Sequence, residues 1–309
     1  MQYRKLGDSD LNISALGLGS WITGRTGWHD VKDSDSEAVI KTAFENGINF
    51  IDTAPIYGNG HAESVVGKTI KPFRDKIVLA TKCGLKEGFL HDLSKRQIFK
   101  EIEDSLRRLQ TDYIDLYQPH WPDPHTDIQE TMEALLLLQS KGTIRNIGFC
   151  NHPVSLLEKA LTMGLIVSVQ HQYSLLDRKI ENDIIPFVLK NKVGVLAYGP
   201  LHGGLLTGKY KSKPDVSRKE AKVFFYQFLD DQIWNKSIEL VADLKLKAEI
   251  NKRSIASEVL VWTINQPGIT CALTGMRNLK QLTENLQGLA LDSGSSRRFT
   301  SYGWQASPE

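Results

Sequence analysis

A carboxylate, a phenol, an amine and an imidazole stand where apolar segments of this chain end: Asp52, Tyr57, Lys82 and His120. The segment 49–54 closes around Asp52, and Tyr57 follows in the loop. The segment 77–82 ends in Lys82, and 113–120 ends in His120. This set can deliver a proton to a carbonyl oxygen. Reducing a carbonyl requires a hydride on carbon and a proton on oxygen, and the acid must lie within hydrogen-bond reach of that oxygen. Tyr57 is the candidate acid. An ordinary phenol has a pKa of about 10 and donates reluctantly near neutrality. A nearby ammonium stabilises the phenolate and lowers that value. Lys82 takes that role, and Asp52 pairs with Lys82 to hold its charge and position. His120 is the residue to hydrogen-bond and orient the carbonyl oxygen. Taken singly, a helix cap, a loop aromatic, a solvated strand end and a satisfied histidine explain these residues equally well. Taken together they do not, because a cation and a carboxylate closing apolar strands are costly to bury unpaired.

Such residues converge only if the strands that carry them are neighbours. Eight short apolar segments read as strands: 15–19, 49–54, 77–82, 113–120, 145–150, 167–172, 194–200 and 270–275. They are rich in Ile, Val and Leu, as strands buried on both faces are. Helical stretches separate them. Ser34–Glu37 reads as a capping box that opens a helix running to Asn46, with Gly47 as its stop. Ser94–Gln97 opens another, with Ile98, Ile102, Leu106 and Leu109 on one face. The stretches 127–141 and 154–163 end at Gly142 and Gly164. Repeated βα units give a parallel sheet, and eight of them close into a (β/α)8 TIM barrel whose strand C-termini share one mouth. An open doubly wound sheet is the alternative, and would call for a glycine fingerprint after the first strand. Gly17-Leu-Gly19 is too short to be one.

The expectation is a single barrel domain over residues 1–309, with an N-terminal β-hairpin before residue 15 and a long cofactor or substrate loop over 201–232. Within that loop lie a Gly-rich turn (203–209) and a polar stretch (211–222), and two helices follow near 231–251 and 254–265. The tail 292–309 is polar, which suits disorder, but it carries Phe299, Tyr302 and Trp304, which favour folding over a site.

A formal net charge of +2, with acids and bases intermixed, gives no footprint for nucleic acid or a membrane surface. Three cysteines, Cys83, Cys150 and Cys271, form no metal-binding spacing and suit a reducing compartment. His120 and His125 lack further partners at ligand spacing, so no metal is expected. No apolar run is long enough to span a bilayer, and the N-terminus lacks an apolar signal core. A cytoplasmic protein is the expectation.

Six segments then occur in order: Asp52-Thr53-Ala54 with Tyr57-Gly58, followed by Glu63 and Gly67; Thr81-Lys82; Asp115-Leu116 with His120-Trp121-Pro122; Gly148 to Asn151; Tyr198 to Leu201; and Gly275-Met276-Arg277 with Gln281-Leu282 and Glu284-Asn285. Through them the chain resembles the aldo-keto reductases over nearly its full length, nearest to the branch that holds potassium channel β-subunit-like and bacterial members. The resemblance implies the same four catalytic roles and a nicotinamide cofactor across the barrel mouth. Asn151 and Gln170 would hold its carboxamide, and Tyr198 would stack on its ring. Leu201 and the segment from Gly203 to Lys209 would wrap the pyrophosphate. Arg277, Gln281, Glu284 and Asn285, after Gly275, would hold the adenosine end. Cys150 stands where the family has serine, and Gly199 where serine is common, so both belong to the cofactor contacts. Arg277, at the start of the last helix, points to a 2′-phosphate and hence to NADPH.

The substrate wall is read from Trp21, Trp28 and Trp121, which suit a small carbonyl compound with a hydrophobic body. The expected activity is NADPH-dependent reduction of aldehydes or ketones. The alternative is a cofactor-loaded regulatory subunit with slow turnover, similar to potassium channel β subunits. A barrel isomerase or lyase would leave Tyr57 and Lys82 without a role.

Overall fold

A computed structural model of the chain describes residues 1–25, 31–215, 221–227 and 230–289. Its centre is a closed barrel of eight strands. We number them β1 (Leu16–Gly19), β2 (Phe50–Asp52), β3 (Val78–Cys83), β4 (Ile114–Pro119), β5 (Ile144–Cys150), β6 (Ser168–Gln172), β7 (Gly194–Tyr198) and β8 (Ile269–Thr274). Every neighbouring pair is parallel, and β8 returns to β1. All eight strands lie where the apolar segments predict them.

Helices α1 (Asp33–Glu45), α2 (His61–Ile70), α3 (Lys95–Leu109), α4 (Ile128–Ser140), α5 (Val154–Leu161) and α6 (Ile184–Asn191) connect the first seven strands. Beyond β7 come α7 (Ala221–Tyr226), α8 (Asp231–Ile250) and α9 (Ile255–Ile264), and α10 (Leu279–Leu286) follows β8. Ser94 caps α3 by accepting from the Gln97 amide, and Ile98, Ile102 and Leu109 are buried on one face as the spacing requires. The capping-box expectation for α1 is corrected. Lys32 is the N-cap and makes no side-chain cap bond, so Ser34 already lies in the first turn. The helix starts earlier because acidic Asp33 and Asp35 favour its N-terminal dipole.

Side chains alternate along a strand, so every second residue faces the barrel interior. The lower tier is apolar: Phe50, Ala80, Leu116, Leu196 and Cys271 form one cluster, which Leu273 also joins. Gly17 belongs to this tier. A Cβ there would lie 2.7 Å from Leu273 and 2.8 Å from Phe50, so the glycine answers to packing. Two residues further along the same strands the interior positions are Asp52, Lys82, Gln118, Cys150, Gln170 and Tyr198. The upper tier is thus largely polar, with Leu273 of β8, paired with Tyr198, as an apolar exception.

The predicted hairpin, Tyr3–Lys5 paired with Asn12–Ser14, closes the lower end, with Leu6 and Ile13 fully buried against the apolar tier. On the outside, Glu63 in α2 is fully buried. It accepts from the Thr81 hydroxyl at 2.6 Å and pairs with Arg108 of α3 at 2.6 Å, locking β3 at the residue before Lys82. Gly67 lets the two helices close: a Cβ there would sit 2.4 Å from the Leu109 carbonyl oxygen.

Candidate active site

The upper tier brings the four predicted catalytic residues together. Lys82 is fully buried. Its Nζ donates to Asp52 Oδ2 at 2.6 Å, to the Thr53 carbonyl at 2.9 Å and to the Tyr57 hydroxyl at 3.3 Å. The His120 ring meets the Tyr57 ring edge-on, with centroids 6.0 Å apart. Asp52 Oδ1 is held by Gln170 Nε2 at 2.9 Å and by Gln118 Nε2 at 3.4 Å. Asp52 and Lys82 end adjacent strands, and the pleat turns both inward. Tyr57 comes from the loop after β2, which reaches back over them.

The electrostatics correct one expectation. Burial pushes the Tyr57 phenol up to about 12; Lys82 pulls it down, but Asp52 and Cys150 push it up again. The phenol is therefore not made acidic. Its phenolate is poorly solvated, and the lysine limits the rise without reversing it. Burial is the largest single influence on the Lys82 ammonium and disfavours it, but the Asp52 charge and hydrogen bond, with Tyr57 and Cys150, together outweigh burial and the net shift is upward. His120 lies well below its ordinary value, first through burial and then through the Lys82 charge. At neutral pH the set thus comprises a neutral phenol, an ammonium, and an uncharged imidazole able to donate one N–H.

The carboxamide-binding residues predicted from the sequence adjoin this set. Asn151 adopts a left-handed conformation, φ 59°, which asparagine tolerates. Its Nδ2 donates to the His120 carbonyl at 3.2 Å and to Cys150 Sγ at 3.1 Å, and its Oδ1 accepts from the Tyr198 hydroxyl at 3.0 Å. The Cys150 thiol in turn donates to Gln170 Oε1 at 3.4 Å. One hydrogen-bonded chain therefore runs from Tyr198 through Asn151, Cys150, Gln170 and Asp52 to Lys82 and Tyr57.

A cavity of about 580 Å³ opens above the tier. Asp52, Tyr57 and His120 line it, and Lys82 lies behind them. All the predicted cofactor residues line it as well: Cys150, Asn151, Gln170, Tyr198, Gly199, Leu201, Gly203, Lys209, Gly275, Arg277, Gln281, Glu284 and Asn285. Trp21 and Trp121 are on its wall. Trp28 and the tail 292–309 lie outside the described residues.

The lining fits a nicotinamide dinucleotide. Two buried amides, Gln170 and Asn285, face the cavity. On the cavity wall Gly203 and Gly204 both take positive φ, 63° and 99°, and bend the backbone into an arch, where a Cβ at Gly204 would lie 2.7 Å from Lys209 Nζ, a cation suited to phosphate. Arg277 immediately precedes the Asn278 cap of α10, where helix N–H groups and a guanidinium favour phosphate.

Sequence reasoning missed part of the wall. Leu85 and Phe89 enter from a small hairpin, Leu85–Lys86 paired with Leu90–His91. His91 ties that hairpin to the Pro122 carbonyl at 2.8 Å, a contact invisible in local pattern. Phe225 and Tyr226 cover the mouth from α7, where the aromatic pair after the polar stretch is the available signal. Gln172 Nε2 donates to the Phe225 carbonyl at 3.2 Å, and His202 Nε2 approaches the Tyr226 carbonyl at 3.1 Å. Gly199 makes room for this cover, since a Cβ there would lie 2.8 Å from the Tyr226 ring. Gln118, buried and polar in an apolar strand, was also missed. Its position two residues before His120 is the signal.

Three further histidines carry a pH prediction. His152, His171 and His202 are each pushed down to about 4, in every case mainly by burial. The unfolded chain binds their protons at about 6.5. Their neutral burial thus supports folding fully above that pH and fails as pH falls toward 4. The expected loss is roughly 1.4 kcal/mol per histidine per pH unit across that window. Urea midpoints measured through the window should drop; constant midpoints would contradict the burial of these rings.

Comparison with known proteins agrees with the geometry. The Aldo/keto reductase family model matches residues 15–301. The aldo-keto reductase YhdN of Bacillus subtilis is 36% identical over 289 residues, covering 91% of this chain and 87% of that one. An NADH-specific methylglyoxal reductase of Escherichia coli is 34% identical over 310 residues, covering 93% of each chain. Among solved structures, a glycerol dehydrogenase of Gluconobacter oxydans superposes with a TM-score of 0.84 at 31% identity, covering 99% of this chain and 91% of that one.

Proposed function

The chain belongs to the aldo/keto reductase family, and from that premise we propose that it reduces aldehydes or ketones with NADPH, Tyr57 giving the proton. The observation that carries this reading is the Lys82 ammonium 3.3 Å from a neutral Tyr57 hydroxyl, at the floor of a cavity with His120 beside it. A bound nicotinamide supplies the hydride to the carbonyl carbon. The remaining work belongs to the chain. Tyr57 and His120 present O–H and N–H donors to the carbonyl oxygen, and orient the carbon toward the cofactor face. Tyr57 gives up its proton as negative charge grows on that oxygen. Lys82 then stabilises the phenolate, and Asp52 holds Lys82 in place. Leu85, Phe89 and Trp121 wall the cavity and reduce the water that would compete for the donors.

Asn151 and Gln170 would hold the carboxamide, the arch at Gly203 the pyrophosphate, and Gln281, Glu284 and Asn285 the adenosine. Arg277 would take the 2′-phosphate. Arg277→Ala should then weaken NADPH about ten- to a hundredfold, the worth of one charge-assisted hydrogen bond, and leave NADH nearly as before. Fluorescence titration with both cofactors measures this. Equal loss for both would remove the case for NADPH, which is a live comparison because one relative is NADH-specific by name.

A panel of aldehydes and ketones, followed by nicotinamide absorbance with each cofactor, tests the reading as a whole. Steady consumption supports a reductase. Tight cofactor binding that stalls after one turnover would favour a regulatory subunit. Buried, unpaired Cys83, Cys150 and Cys271 suit a reducing cytoplasm. Among the described residues no helix is long and apolar enough to cross a membrane.

A further inference from the structure

Gln118 has no part in the reaction just described, yet it is built into the same tier. It is fully buried and does not reach the cavity wall. Its Nε2 lies 3.4 Å from Asp52 Oδ1, and its Oε1 is buried with no hydrogen-bond partner. An orphaned amide oxygen costs free energy, and an apolar side chain of the same length would avoid that cost. Packing alone therefore gives no reason for a glutamine here. The reason must lie with the amide nitrogen.

That nitrogen is the longer of two contacts to the same oxygen. Asp52 Oδ1 receives its shorter bond, 2.9 Å, from Gln170 Nε2. Gln170 lines the cavity, whereas Gln118 does not. The argument now rests on the proposed reading, in which Gln170 also holds the carboxamide of a bound nicotinamide. Any turn of the Gln170 amide toward the cofactor withdraws a donor from Asp52. Without that donor, Oδ1 is left as a buried anionic oxygen with one weak partner. Asp52 is then held mainly by Lys82 through Oδ2, so its carboxylate can turn about that contact and shift Lys82 relative to Tyr57.

We propose that Gln118 is a positioning residue, which takes over Asp52 Oδ1 when a cofactor engages Gln170 and so keeps Lys82 directed at Tyr57. The required movement is small, from 3.4 Å to an ordinary hydrogen-bond length. Gln118 and Gln170 would act as alternating holders of one carboxylate, one behind the wall and one on it.

Two measurements test this. Gln118→Met keeps the length and removes the donor together with the orphaned oxygen. It should lower kcat about ten- to a hundredfold, the scale of a displaced catalytic group, and weaken NADPH by roughly severalfold, because a bond that tightens only with the cofactor bound is lost, with the melting temperature of the cofactor-free protein unchanged or higher. A merely structural glutamine would show the reverse, a lower melting temperature with kcat intact, and that result would overturn the proposal. In the second, the side-chain amide resonance of Gln118 is followed by NMR in the wild-type protein, assigned by its absence in the variant. Saturation with NADPH should move it downfield as its bond to Asp52 shortens; an unmoved resonance would also overturn the proposal. If Gln118→Met does not fold, the resonance is assigned from through-space contacts and the same criterion applies. If the wild-type protein binds NADPH but reduces no carbonyl, the reductase reading fails separately, and the resonance alone decides the role of Gln118. If NADPH does not bind, both fall.

Discussion

Tyr57→Phe is expected to cut carbonyl reduction by roughly a thousandfold, the usual worth of a positioned general acid, while NADPH binds as before. The substitution removes one oxygen and leaves the ring, which meets His120 edge-on. Lys82 keeps its bonds to Asp52 and to the Thr53 carbonyl, so the buried charges stay paired. The loss should therefore appear in kcat with the fold intact. Single-turnover measurements with an aldehyde, paired with a cofactor titration, separate the two effects. Wild-type turnover in the variant would mean that another group donates, and His120 would be the first suspect. The pH profile gives a second check. With the phenol pushed up to about 12, the donor is fully protonated at neutral pH, and it is lost only as pH rises toward that value. Reduction should thus show no donor-dependent decline between about pH 6 and 9. A basic limb near neutrality would show that the bound state shifts the phenol far more than burial and Lys82 together do.

Lys82→Met should produce the other large effect, and it should damage both activity and stability. Lys82 is the buried cation that opposes the Asp52 carboxylate at 2.6 Å. Deleting one partner of such a pair leaves an uncompensated charge, at a cost of about 3–5 kcal/mol. The glutamine amides on Oδ1 soften that cost without replacing the cation. The phenol also loses the one charge that lowers its pKa, so proton donation becomes harder still. Combining Lys82→Met with Asp52→Asn should restore much of the stability, since the orphaned charge is gone, and none of the turnover. Denaturant midpoints and kcat for the two single variants and the pair give the coupling directly. Full activity in Lys82→Met would end the assignment of the ammonium to the proton step.

These two side chains show how much could be read before any coordinates. Both end strands whose hydrophobic run is uninterrupted, and a charge closing such a run stands out against the expected cost of burial. The barrel was legible for a related reason: strands buried on both faces advertise themselves in sequence. The direction of the Tyr57 shift was not legible, because it depends on how far water is excluded, and sequence spacing carries no measure of that. The start of α1 was misplaced because Ser34 and Glu37 have the spacing of a cap, whereas the chain turns helical just before them. The hairpin that brings Phe89 to the cavity is fixed by a contact from His91 to Pro122, and the cover at Phe225 by Gln172 and His202. Such contacts join residues far apart in the chain and leave no local periodicity.

Because the interior of the cylinder is largely apolar below and largely polar above, hardiness and chemistry are assigned to different storeys of one building. Substitutions at Ala80 or Leu116 would retune how firmly the strands are bound together without altering which protons are offered at the mouth. Changes among the occupants above would redirect the chemistry while the foundation stays put. An engineer seeking a heat-tolerant catalyst could thus work from beneath, and one seeking a new substrate from on top, with little interference between them.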